Sequence, residues 1–180
     1  MTLKLSGGLF KGRPIATDPG HDFRPTTDRH RQMIFNILGK SVQGIRFLDA
    51  YAGSGAMGLE AVSRGVSYAV FIENFPPAVQ RLTESIQSFG IERLCRVITG
   101  DAAVPETLGL NAASFDVIYL DPPYENYPIP GLAGYAELLE SGGLFIAEHS
   151  SRNVFEAVPG LEFDERRKSG DSAFSFFRKP

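Results

Sequence analysis

The sequence predicts a doubly wound α/β fold, with a mostly parallel sheet, helices on both faces, an antiparallel terminal hairpin and a small basic N-terminal arm. Three observations carry this. From residue 45 onward, short apolar runs alternate with amphipathic segments of helix length. The stretch Phe47-Leu48-Asp49-Ala50-Tyr51-Ala52-Gly53-Ser54-Gly55-Ala56-Met57-Gly58 reads as a strand, a glycine-dense turn and a helix start. Near the end, two runs over 162–168 and 173–178 flank Ser169-Gly170-Asp171, which has the composition of a hairpin turn.

Taken in order, Leu3-Lys4-Leu5, a Gly7-Gly8 turn and Phe10 to Ile15 predict a short hairpin or an irregular extended arm. Arg24-Pro25-Thr26-Thr27-Asp28 is a helix start: a proline outside, a threonine to cap, an acid favourable to the dipole. That helix runs to Leu38 and stops at Gly39, with Met33, Ile34, Ile37 and Leu38 as its buried stripe. Arg29 and Arg31 then fall nearer the wet side, and Phe35 is open to either face. The strands are 45–49, 68–73, 96–99, 115–120 and 144–148. Between them lie helices ending near Arg64-Gly65, over 76–89 with a proline in the first turn, a poorer one over 104–108, one over 132–139 and a weak one over 153–157. Residues 1–40 are expected to form the basic arm and helix, and 41–180 the catalytic domain.

Composition narrows the functional classes. The 180 residues are 43% hydrophobic and 22% charged, which suits one domain with a sizeable core. No apolar run approaches the roughly 20 residues that span a bilayer, and no signal-peptide pattern opens the chain, so a soluble cytoplasmic protein is expected. One cysteine and three scattered histidines predict neither a disulfide nor a metal. The net charge of −3 is segregated: residues 1–46 carry eight Lys/Arg against three Asp/Glu, residues 47–180 ten against eighteen. A basic arm on an acidic body suits an arm that meets a polyanion, although solvated faces alone would also give such a split.

Ligands of doubly wound sheets bind beyond the carboxyl ends of the strands, and the chemistry-bearing residues fall there. Gly53 and Gly55 allow a backbone to approach a ligand, and Gly58 lets the helix lie close to the strand. The same spacing also serves tight packing alone. Glu73, 18 residues past Gly55, suits ribose hydroxyls; Asp101 and Ala102 suit an adenine edge, and Asp49 an ammonium group. A ligand with ribose, adenine and a cationic amino-acid tail but no phosphate is S-adenosylmethionine. The cofactor set is Asp49, Ala52, Gly53, Ser54, Gly55, Glu73, Asp101 and Ala102. Asp121-Pro122-Pro123-Tyr124 is a stiff ledge without backbone donors at its prolines. Asp121 and the Pro122 carbonyl suit the two N–H bonds of an amine, and Tyr124 offers a ring for a flipped base. The RNA-contacting cations are then Lys11, Arg13, Arg24, Arg29 and Arg31, the densest basic group in the chain. A nicotinamide-dependent oxidoreductase would use the same glycines and Glu73 but leave the ledge without a role, and a non-catalytic RNA-binding module would need only the arm.

Arg24-Pro25-Thr26-Thr27-Asp28-Arg29, Phe35-Asn36-Ile37-Leu38, Ala52-Gly53-Ser54-Gly55, Gly58-Leu59-Glu60-Ala61, Ser63-Arg64-Gly65 and Asp121-Pro122-Pro123-Tyr124 together resemble the RsmD-type family of 16S rRNA guanine-N2 methyltransferases. The resemblance implies a Rossmann-like class I methyltransferase sheet and methyl transfer from S-adenosylmethionine to the 2-amino group of a guanine in 16S rRNA or an assembling small ribosomal subunit. Gln32, Ala50-Tyr51 and Ser85 depart from the residues usual in that family. By chemistry alone, adenine N6 and a protein glutamine remain open as acceptors. The sequence sets no oligomeric state; a monomer without metal is the expectation.

Overall fold

The computed structural model describes residues 3–17, 28–123, 127–153 and 157–180. Seven strands form one sheet, β1 (Arg46–Ala50), β2 (Tyr68–Glu73), β3 (Cys95–Thr99), β4 (Phe115–Leu120), β5 (Leu139–Ser150), β6 (Glu162–Ser169) and β7 (Ser172–Arg178), in the order 3-2-1-4-5-7-6. β1 to β5 are parallel, and β7 pairs antiparallel with both β5 and β6. The chain therefore winds outward from β1 in one direction, then restarts at β4 in the other. The switch point lies between β1 and β4.

Helices α1 (Asp28–Leu38), α2 (Ala56–Ser63) and α3 (Pro76–Phe89) share one core with one sheet face, and α4 (Leu132–Leu138) packs on the other. α3 shows why the sequence folds so. Ala78, Leu82, Ser85, Ile86 and Phe89 recur at three- and four-residue spacing and are buried, Pro76 and Pro77 open the first turn, and Gly90 closes it at φ 69°. α2 is buried along its whole length, so it tolerates no bulk where it meets the sheet. A side chain at Gly58 would collide with the Phe71 ring.

Several expectations are corrected. The helix expected over 104–108 is a single 3-10 turn, Pro105–Thr107, cut short by Gly109 at φ 62°. β5 starts at Leu139 rather than 144, because Leu139 pairs with Phe115 before a register shift carries the ladder to Val117 and Leu144. The expected antiparallel terminal hairpin is present, and both its strands join the sheet, whose edges are β3 and β6. Arg31 does not face water: it is completely buried. Of the helix expected over 153–157, residues 154–156 lie outside the described residues, as do Arg24 to Thr27 at the expected start of α1.

The N-terminal segment is a docked, irregular hairpin with one bridge between Lys4 and Pro14. Leu5 and Ile15 are buried in the core of α1 to α3. Its polar anchor is Glu60, a fully buried carboxylate on α2. Glu60 accepts from the Ser6 amide at 2.7 Å, the Ser6 hydroxyl at 2.8 Å and Arg64 Nε at 2.9 Å, and Arg31 Nε lies 3.9 Å away. Arg31 also donates to Asp28 and to the Lys4 carbonyl. Hairpin, α1 and α2 thus meet on one charge cluster. Breaking a buried pair leaves the other charge uncompensated, so Glu60→Ala is expected to cost about 3–5 kcal/mol in urea unfolding. A loss under about 1 kcal/mol would show that the cluster does not hold the hairpin.

Candidate cofactor and amine site

The register aligns the strand ends: Ala50 sits beside Ile72 and Leu120, Glu73 beside Thr99, and Leu120 beside Ala147. Asp49, Glu73, Asp101 and Asp121, spread over 72 residues of sequence, therefore share one end of the sheet. The turn between β1 and α2 lies beside Asp121, whose amide reaches the Ala50 carbonyl at 3.4 Å.

The turn is built to leave room. Tyr51 (φ 60°), Gly53 (φ 53°) and Gly55 (φ 73°) all take left-handed conformations, so the backbone curls tightly off β1. A side chain at Gly55 would collide with Leu82, whereas one at Gly53 would meet no atom within 4 Å. Gly55 thus closes the turn onto α3, and Gly53 faces open space. Ala52 is fixed by its amide to the Ile72 carbonyl at 2.9 Å, and Ser54 is half-buried in the same turn.

Two carboxylates fasten this turn. Asp49 Oδ2 accepts from the Gly58 amide at 2.8 Å, tying the end of β1 to the first turn of α2. Burial pushes the Asp49 carboxyl up to about 8, against the Gly58 hydrogen bond, and the nearby Glu73 charge pushes it the same way as burial. Glu73 Oε2 accepts from the Gly53 amide at 2.7 Å, and its Oε1 from the Asn74 and Phe75 amides at 2.9 and 2.8 Å. It both caps the approach to α3 and holds the glycine turn. These three bonds leave it acceptor capacity for a ligand hydroxyl.

The third strand end supplies the opposite wall. Asp101 is exposed and accepts from the Ala103 amide at 2.9 Å, and the Gly100 amide ties it back to the Glu73 carbonyl at 3.1 Å. Ala102 is buried, its carbonyl accepting from the Tyr135 hydroxyl at 2.7 Å. Tyr51, which sequence reasoning did not place in the site, lies close enough to Asp101 to feel its charge. Among the described residues the buried Tyr51 hydroxyl oxygen has no hydrogen-bond partner, and burial plus the Asp101 charge push its pKa up to about 12. A buried donor without an acceptor, beside an open glycine face and a ribose-competent carboxylate, fits a polar, uncharged ring edge between Tyr51 and Asp101.

Pro122 and Pro123, which follow Asp121 at the end of β4, line a cleft together with Tyr127, Ile129, His149, Ser150 and Asn153. Pro122 is buried and Pro123 exposed; Tyr124 lies outside the described residues. His149 is held between the Ser150 carbonyl at 2.9 Å and the Ser175 hydroxyl at 2.8 Å. A carbonyl only accepts, so Nδ1 carries the proton and Nε2 accepts from Ser175. Burial lowers its pKa, keeping it neutral. Ser150 ends β5 and Asn153 follows it, where the strand-end rule would have found them.

The basic arm does not share this end. Arg13 donates to the Ser88 carbonyl at 2.6 Å and stacks over the Phe89 ring, and the Phe10 amide donates to Ser63. Ser63 and Phe89 end α2 and α3, while the site lies where those helices begin, and the 14 residues of α3 span about 20 Å. Exposed Lys11 lies at that far end too. Of the five expected RNA contacts, Arg31 is buried, Arg24 lies outside the described residues, and Arg29 is exposed on the first turn of α1.

Among the described residues no group of acids, cysteines or histidines has the arrangement of a metal site, and no helix is long and apolar enough to cross a membrane. A family model described as conserved hypothetical protein 95 matches residues 3–178. The Escherichia coli (strain K12) protein named ribosomal RNA small subunit methyltransferase D is 30% identical over 187 residues, covering 98% of this chain and 90% of that one. The solved structure of Escherichia coli yhhF superposes with a TM-score of 0.82 at 26% identity over 99% of this chain and 98% of that one. A hypothetical protein of Thermus thermophilus gives 0.76 at 30% identity, over 98% and 99%. TrmN from Thermus thermophilus, at 20% identity and a TM-score of 0.74, covering 93% of this chain and 54% of that one, shares the class I methyltransferase fold.

The Asp49 carboxyl makes a pH prediction. Its proton is kept in the folded chain up to about 8 but lost near the ordinary 3.8 on unfolding. Its contribution to stability is therefore full below pH 3.8, falls as pH rises, and is gone above about 8. Asp49→Asn keeps an acceptor for Gly58 and does not ionise. Relative to the native chain, this variant is expected to gain urea stability between about pH 5 and about pH 9. A pH-independent difference would show that Asp49 is ionised throughout.

Proposed function

The chain belongs to the conserved hypothetical protein 95 family, which is the RsmD type, and on that membership we propose that it methylates the exocyclic 2-amino group of a guanine in small-subunit rRNA, using S-adenosylmethionine in the cytoplasm. The observation that supports this most is the juxtaposition, across β1 and β4, of the Gly53 turn with the Asp121-Pro122-Pro123 ledge. One side suits a ribose and a cationic tail. The other suits an amine.

When bound, S-adenosylmethionine supplies an electrophilic methyl group. Glu73 accepts from ribose hydroxyls with an orientation already fixed by three backbone amides. Asp49 would hold the ammonium group; a cation there would favour the ionised carboxylate, so binding would release a proton below about pH 8 and tighten as pH rises toward that value. Tyr51, Asp101 and Ala102 would hold the adenine, Tyr51 and Asp101 supplying polar groups for its edge.

At the ledge the task is positioning. The lone pair of an exocyclic base amine is delocalised into the ring, which makes it a poor nucleophile. Asp121 and the Pro122 carbonyl accept its two N–H bonds, hold the nitrogen as it changes hybridisation, and stabilise the positive charge that develops on it. Pro122 cannot donate, so nothing at that point competes for the lone pair. No strong base is required.

Incubating the chain with labelled S-adenosylmethionine and 16S rRNA, then mapping the modified nucleoside, tests the assignment: N2-methylguanosine is expected. Label on adenine N6 or a protein glutamine would overturn the acceptor and keep the cofactor. Asp121→Ala is expected to retain S-adenosylmethionine affinity and lose turnover by roughly 10²–10³-fold, and Gly53→Val to lose cofactor binding by filling the open face. Calorimetry showing native affinity in Gly53→Val would remove the cofactor from this turn.

A further inference from the structure

If RNA is the substrate, the far-end placement of Lys11 and Arg13 means that something else holds the strand near the ledge. A second set of cations lies at the carboxyl end of the sheet. β7 reverses β5 and β6 reverses β7, so the last residues of β6 point the same way as the strand ends that carry the site. Ser150 pairs with Ser172, which also pairs with Ser169, placing the end of β6 level with the end of β5. Lys168 is exposed there. The loop after β5 is fastened to the same hairpin: the Ser151 amide donates to the Asp171 carbonyl at 2.7 Å, and Arg166 Nη2 donates to the carbonyls of Ser151 at 3.2 Å and Asn153 at 2.6 Å. Residues two apart on a strand share a face, so Lys168 lies on the side from which Arg166 reaches this loop. Exposed Arg152 stands at its apex, between Ser150 and Asn153, which line the ledge cleft.

The first turn of α1 completes the set from the other sheet face, since His30 Nε2 meets the Ser169 hydroxyl at 3.0 Å and brings exposed Arg29 to the same end. Neighbouring acids are largely engaged: Glu165 with Arg167 at 3.0 Å, and Asp28 with Arg31. Asp171 is exposed and opposes the patch. Among the described residues Arg29, Arg152 and Lys168 make no ion pair. On a body of net charge −8 over residues 47–180, from ten Lys/Arg against eighteen Asp/Glu, an uncompensated basic rim beside the cleft is where a polyanion would be tolerated.

We propose that Arg152 and Lys168, with Arg29 across the sheet edge, hold the phosphates that flank the target nucleotide, so that the RNA-binding surface is this rim rather than the N-terminal hairpin. The proposal rests on the rRNA reading of the site. A base in the cleft between Pro123 and Asn153 has its own backbone beside Arg152, and the Arg166 bonds to the carbonyls on either side fix the backbone that carries this cation, which lowers the ordering entropy spent on binding. Shape and phosphate contacts of this kind suit a splayed single-stranded segment.

The test uses the full chain and a protein-free 16S rRNA transcript, with binding measured over a salt series. Arg152→Glu combined with Lys168→Glu is expected to weaken binding and to flatten the log–log salt slope by roughly 0.7 per lost phosphate contact, about 1.4 for the pair. S-adenosylmethionine affinity and the melting temperature are expected to stay as in the native chain. Arg152→Gln with Lys168→Gln, which adds no repulsion, moves the slope in the same direction. Lys11→Glu at the far end leaves it unchanged. An unaltered slope in the double reversal, or an equal loss in Lys11→Glu, overturns the proposal. Were the native chain to bind the transcript with this slope pattern yet methylate no guanine, the acceptor reading would fall and the rim would stand.

Discussion

Everything in the site depends on how closely α2 can lie against the sheet. Gly58 permits the approach because any side chain there would collide with Phe71, and Asp49 fastens it through the Gly58 amide. A helix held a methyl group further out would move the Gly53–Gly55 turn away from Glu73, and the Gly53 amide would lose its acceptor on that carboxylate. The carboxylate that holds the Gly53 amide and the carboxylate that fixes the helix are thus joined by one short stretch of backbone. Desolvation of Asp49 is the energetic counterpart: a charge is disfavoured there until a cation arrives.

A second buried carboxylate organises the outer layer. Glu60 takes two hydrogen bonds from Ser6 and one from Arg64 Nε and faces Arg31, so the N-terminal hairpin is attached to the same helix that forms the turn. The hairpin's own strand pairing is a single bridge, too little to stand alone in water. Its apolar anchors Leu5 and Ile15 and the Phe10–Phe89 stack at 5.3 Å do the rest. The cations it carries sit where α2 and α3 end, which removes them from the chemistry by a helix length.

The sheet was legible in the sequence because its signal is periodic and local. β2, β4 and α3 fall where apolar runs and proline punctuation put them, and the acids at the strand ends follow from the rule that loops at that end carry function. What was not legible depended on partners distant in sequence. Arg31 falls on the polar side of α1 by helical spacing, yet it is buried because Glu60 arrives from another helix to meet it. β5 begins early because Leu139 finds Phe115, a residue 24 positions away in sequence. Tyr51 takes a left-handed backbone at a non-glycine residue, and among the described residues its buried hydroxyl finds no partner, which no composition rule predicts. The rim of Arg152 and Lys168 was hidden by averaging, since an acidic body masks a small cluster assembled from a loop and a hairpin.

The docking of the hairpin also has a bearing on how the chain is made. Its anchors lie far along the sequence, Ser6 on Glu60 at a separation of 54 residues and Arg13 on Ser88 at 75. During vectorial synthesis the segment emerges before these partners, and its docking is complete only when α2 and then α3 have followed it. At about 5–20 residues per second that interval is roughly 4–15 s. For that time Leu5, Phe10 and Ile15 are uncovered on the nascent chain, and the three glycines among them, Gly7, Gly8 and Gly12, break up what would otherwise be a continuous strand-forming stretch open to self-association.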